Sequence, residues 1–314
     1  MLVSNRSLAL VGLLTAIVLS NLVPVFAKTL YSQGLSPASV YLAILLVMCG
    51  ILGSHELISL EERSWHWNMS RSDFWGTIVA AVTGGVLDPL LFFSGLRFVQ
   101  ASEAILLSSL LPFFVVCFAV LMLGERFTRQ TFIGGMIIIS GIIVLLWENI
   151  VSFRFSGGAL LIIGASLCSA LTVIIHKKYI NHNRTDTIIF LRTVVAALIV
   201  IIWVQMTEPE SFSHFATTDY VWSFLGLSVG GFLLPYLFYY HSLRHLKAMD
   251  AGILSAIGRA LSIVLASLTL HESIGALRLL SLLLVISGGI IINVPLTHRR
   301  IVPERLPNVG PLRR

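Results

Sequence analysis

Two stretches of this chain are copies of each other. Gly84–Gly141 returns as Gly230–Gly288: Leu96-Arg97 matches Leu243-Arg244, Ala101 matches Ala248, Ser108 matches Ser255, Glu125 matches Glu272 and Ser140-Gly141 matches Ser287-Gly288, at a constant offset of 147 residues (244 − 97). Ahead of Leu243 the offset is one residue shorter, as Pro89 and Pro235 show (235 − 89 = 146). A duplicated unit must fold twice from one pattern, so the architecture is expected to consist of two equivalent halves.

The copied unit is too apolar for water. Hydrophobic residues make up 56% of the chain and charged residues 11%, where soluble domains carry about a quarter charged. A hydrocarbon core of about 30 Å takes about 20 apolar residues per helical crossing. Ten such runs occur, at roughly 7–27, 37–58, 74–96, 102–123, 129–147, 157–176, 187–206, 220–242, 249–270 and 275–295. The expected fold is an all-α integral membrane protein with ten transmembrane helices. The connections near 59–73 and 207–219 are too short to be domains, which leaves no room for a soluble catalytic domain. The division expected is a first repeat over 1–147, a second over 148–296 and a basic tail over 297–314. The first run, long and followed by further spans, reads as an uncleaved helix rather than a signal peptide.

The basic residues sort by side. Taking the N-terminus as cytoplasmic, the inner segments hold Arg6, Arg63, Arg71, Arg126, Arg129, Lys177, Lys178, Arg184, Arg244, Lys247, Arg299, Arg300, Arg305, Arg313 and Arg314, whereas the outer ones hold only Lys28, Arg97, Arg154 and Arg278. This is a positive-inside distribution, and it places both termini in the cytoplasm of a cell carrying this protein in its cytoplasmic membrane. The net charge of +6 is thus spent on orientation, and nucleic acid is not an expected partner. Because five is odd, the second group of five spans must enter the membrane upside down relative to the first. The loops agree: Glu125-Arg126 with nearby Arg129 is basic, while its copy Glu272-Ser273 has lost those charges.

Cys49, Cys117 and Cys168 all fall inside spans with no Cys-x-x-Cys pair, and no His/Cys/Asp/Glu spacing suits a metal; no disulfide framework, metal or cofactor is expected.

The run Ala101-Ser102-Glu103-Ala104-Ile105-Leu106-Leu107-Ser108-Ser109-Leu110-Leu111-Pro112, followed by Leu123-Gly124-Glu125-Arg126 and a Gly-containing fifth span, resembles the EamA-type domain of the drug/metabolite transporter superfamily. The resemblance covers about residues 8–147 and 156–294. It implies a ten-helix carrier in which the first to fourth and sixth to ninth spans enclose a central cavity, with the fifth and tenth peripheral. One departure is Arg259, which stands where the first copy has Pro112.

Arg259 lies nine residues beyond Asp250, about 13 Å into the membrane at 1.5 Å per residue. A charge at mid-membrane costs about 2.5–3.5 kcal/mol on insertion scales, so Arg259 is expected either to line a wet cavity or to be fixed by a structural partner. Asp88 lies nine residues before Arg97, at a similar depth of about 13 Å, so the two could meet across one cavity. Asp88-Pro89 also has the chemistry of an N-cap followed by Pro, which keeps a purely structural role open beside substrate or proton handling. Arg192 is only six residues past Asp186, about 9 Å in, and its long side chain can snorkel to the headgroups or form a structural pair. Pro24, Pro89, Pro112 and Pro235 are each expected to kink a span. Gly226-x-x-x-Gly230 reads as a helix-packing pair.

The other polar candidates are Asn21, Ser108, Tyr236, Tyr240 and Ser255. Asn21 ranks first among them because a buried amide is costly unless paired, and serines often bond back to their own helix. With two intramembrane arginines and one aspartate, the site favours anionic or zwitterionic, amino-acid-like solutes. The function expected is a secondary transporter that moves a small polar metabolite by alternating access, with export as the direction and a coupled proton as an option. A scaffold or receptor with the transporter fold, or a multidrug efflux carrier, is the alternative. A membrane enzyme would need a nucleophile or clustered acids and histidines at one interface, and the sequence offers none.

Overall fold

The computed structural model describes residues 5–32, 34–62, 71–124, 129–147, 157–179, 185–208, 224–235, 238, 263–268 and 275–293. Within them, six helices are long and apolar enough to cross a membrane, and two shorter apolar helices, Arg129–Leu145 and Ala276–Ile292, accompany them. The eighth and ninth expected spans lie only partly within the described residues.

Pro24, Pro89, Pro112 and Pro235 each sit at an interruption of their span, whereas Pro37 opens its helix. Proline offers no N–H and crowds the carbonyl four residues earlier, so an α-helix cannot run through it unchanged. The first span divides at Leu22 into α1 (Asn5–Asn21) and α2 (Val23–Ser32), just before Pro24. The third comprises α4 (Arg71–Ala80), a π-helical stretch Ala81–Leu87 and α5 (Asp88–Leu96), with Pro89 in the first turn of α5. The fourth comprises α6 (Ala101–Leu107), a 3-10 turn Ser108–Leu110 and α7 (Leu111–Leu123), with Pro112 at the restart. A second π-helical stretch, Gly226–Leu233, precedes Pro235. The two π stretches occupy matching places in the sequence repeat, so the duplication extends to this irregularity. The remaining helices are α3 (Pro37–Glu62), α8 (Arg129–Leu145), α9 (Gly157–Tyr179), α10 (Thr185–Thr207) and α11 (Ala276–Asn293).

In the third span the carbonyl that Pro89 crowds is that of Gly85. The buried Tyr41 hydroxyl on α3 donates to it at 2.6 Å, and the Tyr31 hydroxyl likewise donates to the Phe93 carbonyl near the end of α5 at 3.0 Å. With no water in the hydrocarbon region, side chains must supply what the helix has lost. We expect Tyr41→Phe to leave the Gly85 carbonyl unpaired and to cost about 1–3 kcal/mol, read as a lower unfolding temperature in detergent, whereas Phe at exposed positions of the same helix should change little.

Among the described residues, contacts set three helix pairs antiparallel. Gly134 of α8 lies against Gly288 of α11 and Gly141 against Ser281, so one index rises as the other falls. A Cβ on Gly134 would come within 2.8 Å of the Gly288 carbonyl oxygen, and one on Gly288 within 2.6 Å of that of Gly134. Gly95 and Gly158 meet in the same way, each 2.7 Å from the other's carbonyl oxygen, and Gly84 meets Thr172, which sets α9 antiparallel to the third span. Between α3 and α10, Ser36 and Ser39 hydrogen-bond the Glu208 carboxylate at one end, and Gly53 meets Phe190 further along.

The side chains on the facing stripes are dry: Leu42, Ile44, Phe93, Leu96, Ile105 and Leu106 are buried. Phe93 forms an aromatic cluster with Tyr41, Phe92 and Phe232. The outward stripes are equally apolar, with Val11, Leu121, Leu198, Trp203 and Leu283 more than half exposed. Such a belt would drive association in water and is the natural outer surface in lipid. Among the described residues, a Cβ on Gly226 or Gly230 would touch nothing within 4 Å, while one on Gly231 would lie 2.9 Å from Val23.

Candidate functional site

The repeated pair Gly84-Gly85 makes room for the site. A Cβ on Gly84 would lie 2.6 Å from the Thr172 hydroxyl of α9, and one on Gly85 2.9 Å from the Ala196 methyl of α10. Two neighbouring helices therefore close directly on the π stretch of the third span. The π geometry is visible at its end, where the Asp88 amide donates to the Thr83 carbonyl five residues earlier. The extra residue in that turn shifts the angular register of everything after it, beginning with Asp88.

The Asp88 backbone is helical, and no side chain caps α5. The N-cap role open to Asp88 from its sequence is not realised. Its carboxylate instead faces the Ser169 hydroxyl of α9 within hydrogen-bonding reach, with Arg192 of α10 as its positive neighbour. Arg192 is turned into the protein and is only partly exposed. Of the two outcomes its depth allows, the inward one is seen: its Nη1 lies 3.5 Å from Nε2 of His176 on α9, and both Asp88 and Tyr41 share its surroundings. A guanidinium has donors only, so in this contact Nε2 of His176 is the accepting atom.

The other polar groups in this region are satisfied by the protein itself. The Thr83 and Thr172 hydroxyls lie 2.7 Å apart and donate or back-bond to the Val79 and Cys168 carbonyls. Thr193 bonds the Ile189 carbonyl, and Tyr41 is committed to Gly85.

Among the residues expected at the site, Asn21 donates its amide to the Ile17 carbonyl at 2.8 Å, at the junction of α1 and α2. Ser108 donates to the Ala104 carbonyl at 2.8 Å. Arg259, Ser255, Tyr236 and Tyr240 lie outside the described residues. The sequence alone does not single out Ser169 and His176 as site residues, and it weighs Arg192 only as a snorkelling or structurally paired residue. Depth alone leaves Arg192 either headgroup contact or an internal partner, and only the angular register of α10 against α5 and α9 turns it inward. A groove of about 380 Å³ opens at the Arg71 end of α4, lined by Arg71, Ser72, Trp75, Gly76, Val79 and Ile175. Its innermost residue on the third span, Val79, is nine residues short of Asp88, about 13 Å along a helix.

A model of the EamA-like transporter family matches the chain twice, over residues 6–147 and 156–294. The chain belongs to the EamA-like transporter family. It is thus a multi-pass membrane protein of the drug/metabolite transporter superfamily, as the resemblance in its fourth span implied, and both halves of this EamA-like chain carry the family pattern. It is similar to an uncharacterized transporter of Methanothermobacter thermautotrophicus, with 23% identity over 237 residues, spanning 71% of this chain and 66% of that protein; the match therefore spans just under two thirds of the relative's length. A protein of known crystal structure shares the fold, with a TM-score of 0.63 over 91% of this chain and 96% of the other, at 18% identity.

Proposed function

We propose that this EamA-like protein is a carrier, not an enzyme, that moves a small polar solute across the cytoplasmic membrane by alternating access. The observation that carries the reading is the intramembrane cluster of Asp88, Ser169 and Arg192 inside a protein of a transporter family. Ionisable groups at such depth mark solute or ion pathways. Asp88 and Arg192, with Arg259 in the ninth span, make the site neutral or net positive, which suits an anionic or zwitterionic, amino-acid-like solute. Export is the proposed direction, and Asp88 is the group that would carry a coupled proton. Asn21, Ser108, Tyr236, Tyr240 and Ser255 are proposed to line the same cavity.

The proposed architecture is an inverted five-plus-five repeat, over 1–147 and 148–296, with the tail 297–314 and both termini cytoplasmic. Two observations support inversion. The second and seventh spans are repeat counterparts, and so are the fifth and tenth; in both pairs the partners run antiparallel. Gly134 and Ser281 are also repeat equivalents (281 − 134 = 147), as are Gly141 and Gly288. The contacts Gly134–Gly288 and Gly141–Ser281 therefore exchange under the repeat, the signature of an approximate two-fold axis. Such an axis in the membrane plane places the solute site between the halves.

Topology reporters fused after Glu148 and after Arg300 should report opposite sides of the membrane; the same side for both would overturn the inverted arrangement. A thermal-shift screen of the purified protein against a metabolite library, followed by flux of the hits in proteoliposomes, tests the transport reading. A chain that moves none of the polar solutes tried, under either a solute or a proton gradient, is not this carrier.

A further inference from the structure

We propose that Arg192 is the anion-binding residue of the solute site and that His176 holds its guanidinium in reserve while the site is empty. The proposal rests on the carrier reading above and assigns within it a residue pair that neither the family match nor the relatives identify.

A guanidinium carries five N–H donors. Among the described residues, the hydrogen bond that Arg192 makes is the single 3.5 Å contact to Nε2 of His176, at the long limit of such bonds. The surrounding polar groups are not available to it, since Tyr41, Thr83, Thr172 and Thr193 spend their hydroxyls on carbonyls or on each other. Most of the donor capacity in this cluster therefore resides on one residue, whose charge also acts on the Asp88 carboxylate. A planar fork with unspent donors matches a carboxylate in bidentate fashion.

The charge balance selects the class of ligand. Asp88 and Arg192 together are neutral, so a solute of zero net charge with separated ends leaves no buried charge unpaired: its carboxylate goes to Arg192 and its ammonium to Asp88, with Ser169 beside it. A simple amine would leave Arg192 unanswered, and a simple acid would leave Asp88 unanswered.

His176 gives the proposal a sign that a structural role does not share. If Nε2 competes with the solute for the guanidinium, removing the imidazole should tighten solute binding, whereas removing the guanidinium should weaken it. If the two side chains merely brace α9 against α10, both removals should weaken binding or stability together.

The test is equilibrium binding to the purified full-length protein in detergent, using the common L-amino acids as probes, each with its decarboxylated amine and its deaminated acid. For the best-bound amino acid, the wild type should prefer the intact molecule over both truncated forms by at least about tenfold, one hydrogen-bonded charge contact being worth about that much. Arg192→Gln should lose at least about thirtyfold in affinity for the amino acid and bind the amine equally well. Arg192→Lys, which keeps the charge but not the fork, should fall between. His176→Leu should bind the amino acid about threefold to tenfold more tightly than wild type. Unfolding temperatures of each variant check the fold, and should Arg192→Gln fail to fold, Arg192→Lys and His176→Leu decide. Unchanged affinity in Arg192→Gln or Arg192→Lys, or weaker binding in His176→Leu, overturns the assignment while leaving the carrier reading intact. Failure of every probe in all three series to bind wild type would overturn the amino-acid-like class on which both stand.

Discussion

Asp88→Asn should reduce solute flux in proteoliposomes about 10- to 100-fold. The change keeps size and shape but removes the negative charge that faces Ser169 and Arg192 inside the membrane. A hydrogen-bonded contact to a charged group is worth about 1.5–3 kcal/mol, and each 1.4 kcal/mol is about a factor of ten in binding. The stability of the same variants separates a ligand contact from a fixed ion pair. Asp88→Asn alone leaves Arg192 without its counter-charge and should lower the unfolding temperature, whereas Asp88→Asn/Arg192→Gln removes both charges and should recover much of it. Flux should stay lost in the double variant, because the groups that hold the solute are gone. Flux restored together with stability would mean that the pair is structural. Wild-type flux in the Asp88→Asn single variant would move the site to Arg259, Asn21, Tyr236 and Tyr240.

Gly288→Ala should destabilise the protein by about 3 kcal/mol, near the upper end of what overpacking costs. The added Cβ would lie 2.6 Å from the Gly134 carbonyl oxygen and 3.0 Å from the Ile138 backbone nitrogen. These are backbone atoms that cannot rotate aside, so α8 and α11 must separate along their length. Gly134→Ala makes the reciprocal clash, 2.8 Å from the Gly288 carbonyl oxygen, and should cost a similar amount. Since both changes break one contact, Gly134→Ala/Gly288→Ala should cost clearly less than twice the single value. Gly226→Ala is the control: its Cβ would meet none of the described residues within 4 Å, and its effect should stay within about 1 kcal/mol, the range of the Gly-to-Ala helix preference. The measurement is thermal unfolding in detergent for all four. Equal losses for Gly226→Ala and Gly288→Ala would show that glycine count rather than helix contact governs stability.

The membrane class and the repeat are legible in the sequence because both are properties of composition along the chain. A run of about 20 apolar residues has few other fates, and a copy at a fixed offset can be found by matching letters. The prolines are legible for a similar reason: the missing N–H of Pro24, Pro89 and Pro112 disrupts its own helix whatever surrounds it, and the interruptions stand beside all three. What a proline does not determine is the form of the interruption. The same chemistry yields a break at Pro24, a π stretch before Pro89 and a 3-10 turn before Pro112, and in the second case the freed carbonyl is satisfied by Tyr41, 44 residues away in the chain.

The site divides along the same line. Asp88 announces itself because a carboxylate in an apolar span is costly wherever it points. Arg192 does not, because its depth allows two outcomes and only its angular position on α10 chooses between them. Among the described residues, Gly231 rather than Gly226 or Gly230 makes the close contact on the second π stretch, where an added residue in a helical turn rotates the faces that regular 3.6-residue spacing assigns. Sequence alone fixed which residues are costly to immerse in lipid, a quantity set by each side chain and its depth. Tertiary structure decided which of them meet, because that depends on the rotation and crossing of helices whose apolar surfaces, similar on every side, carry no preference of their own.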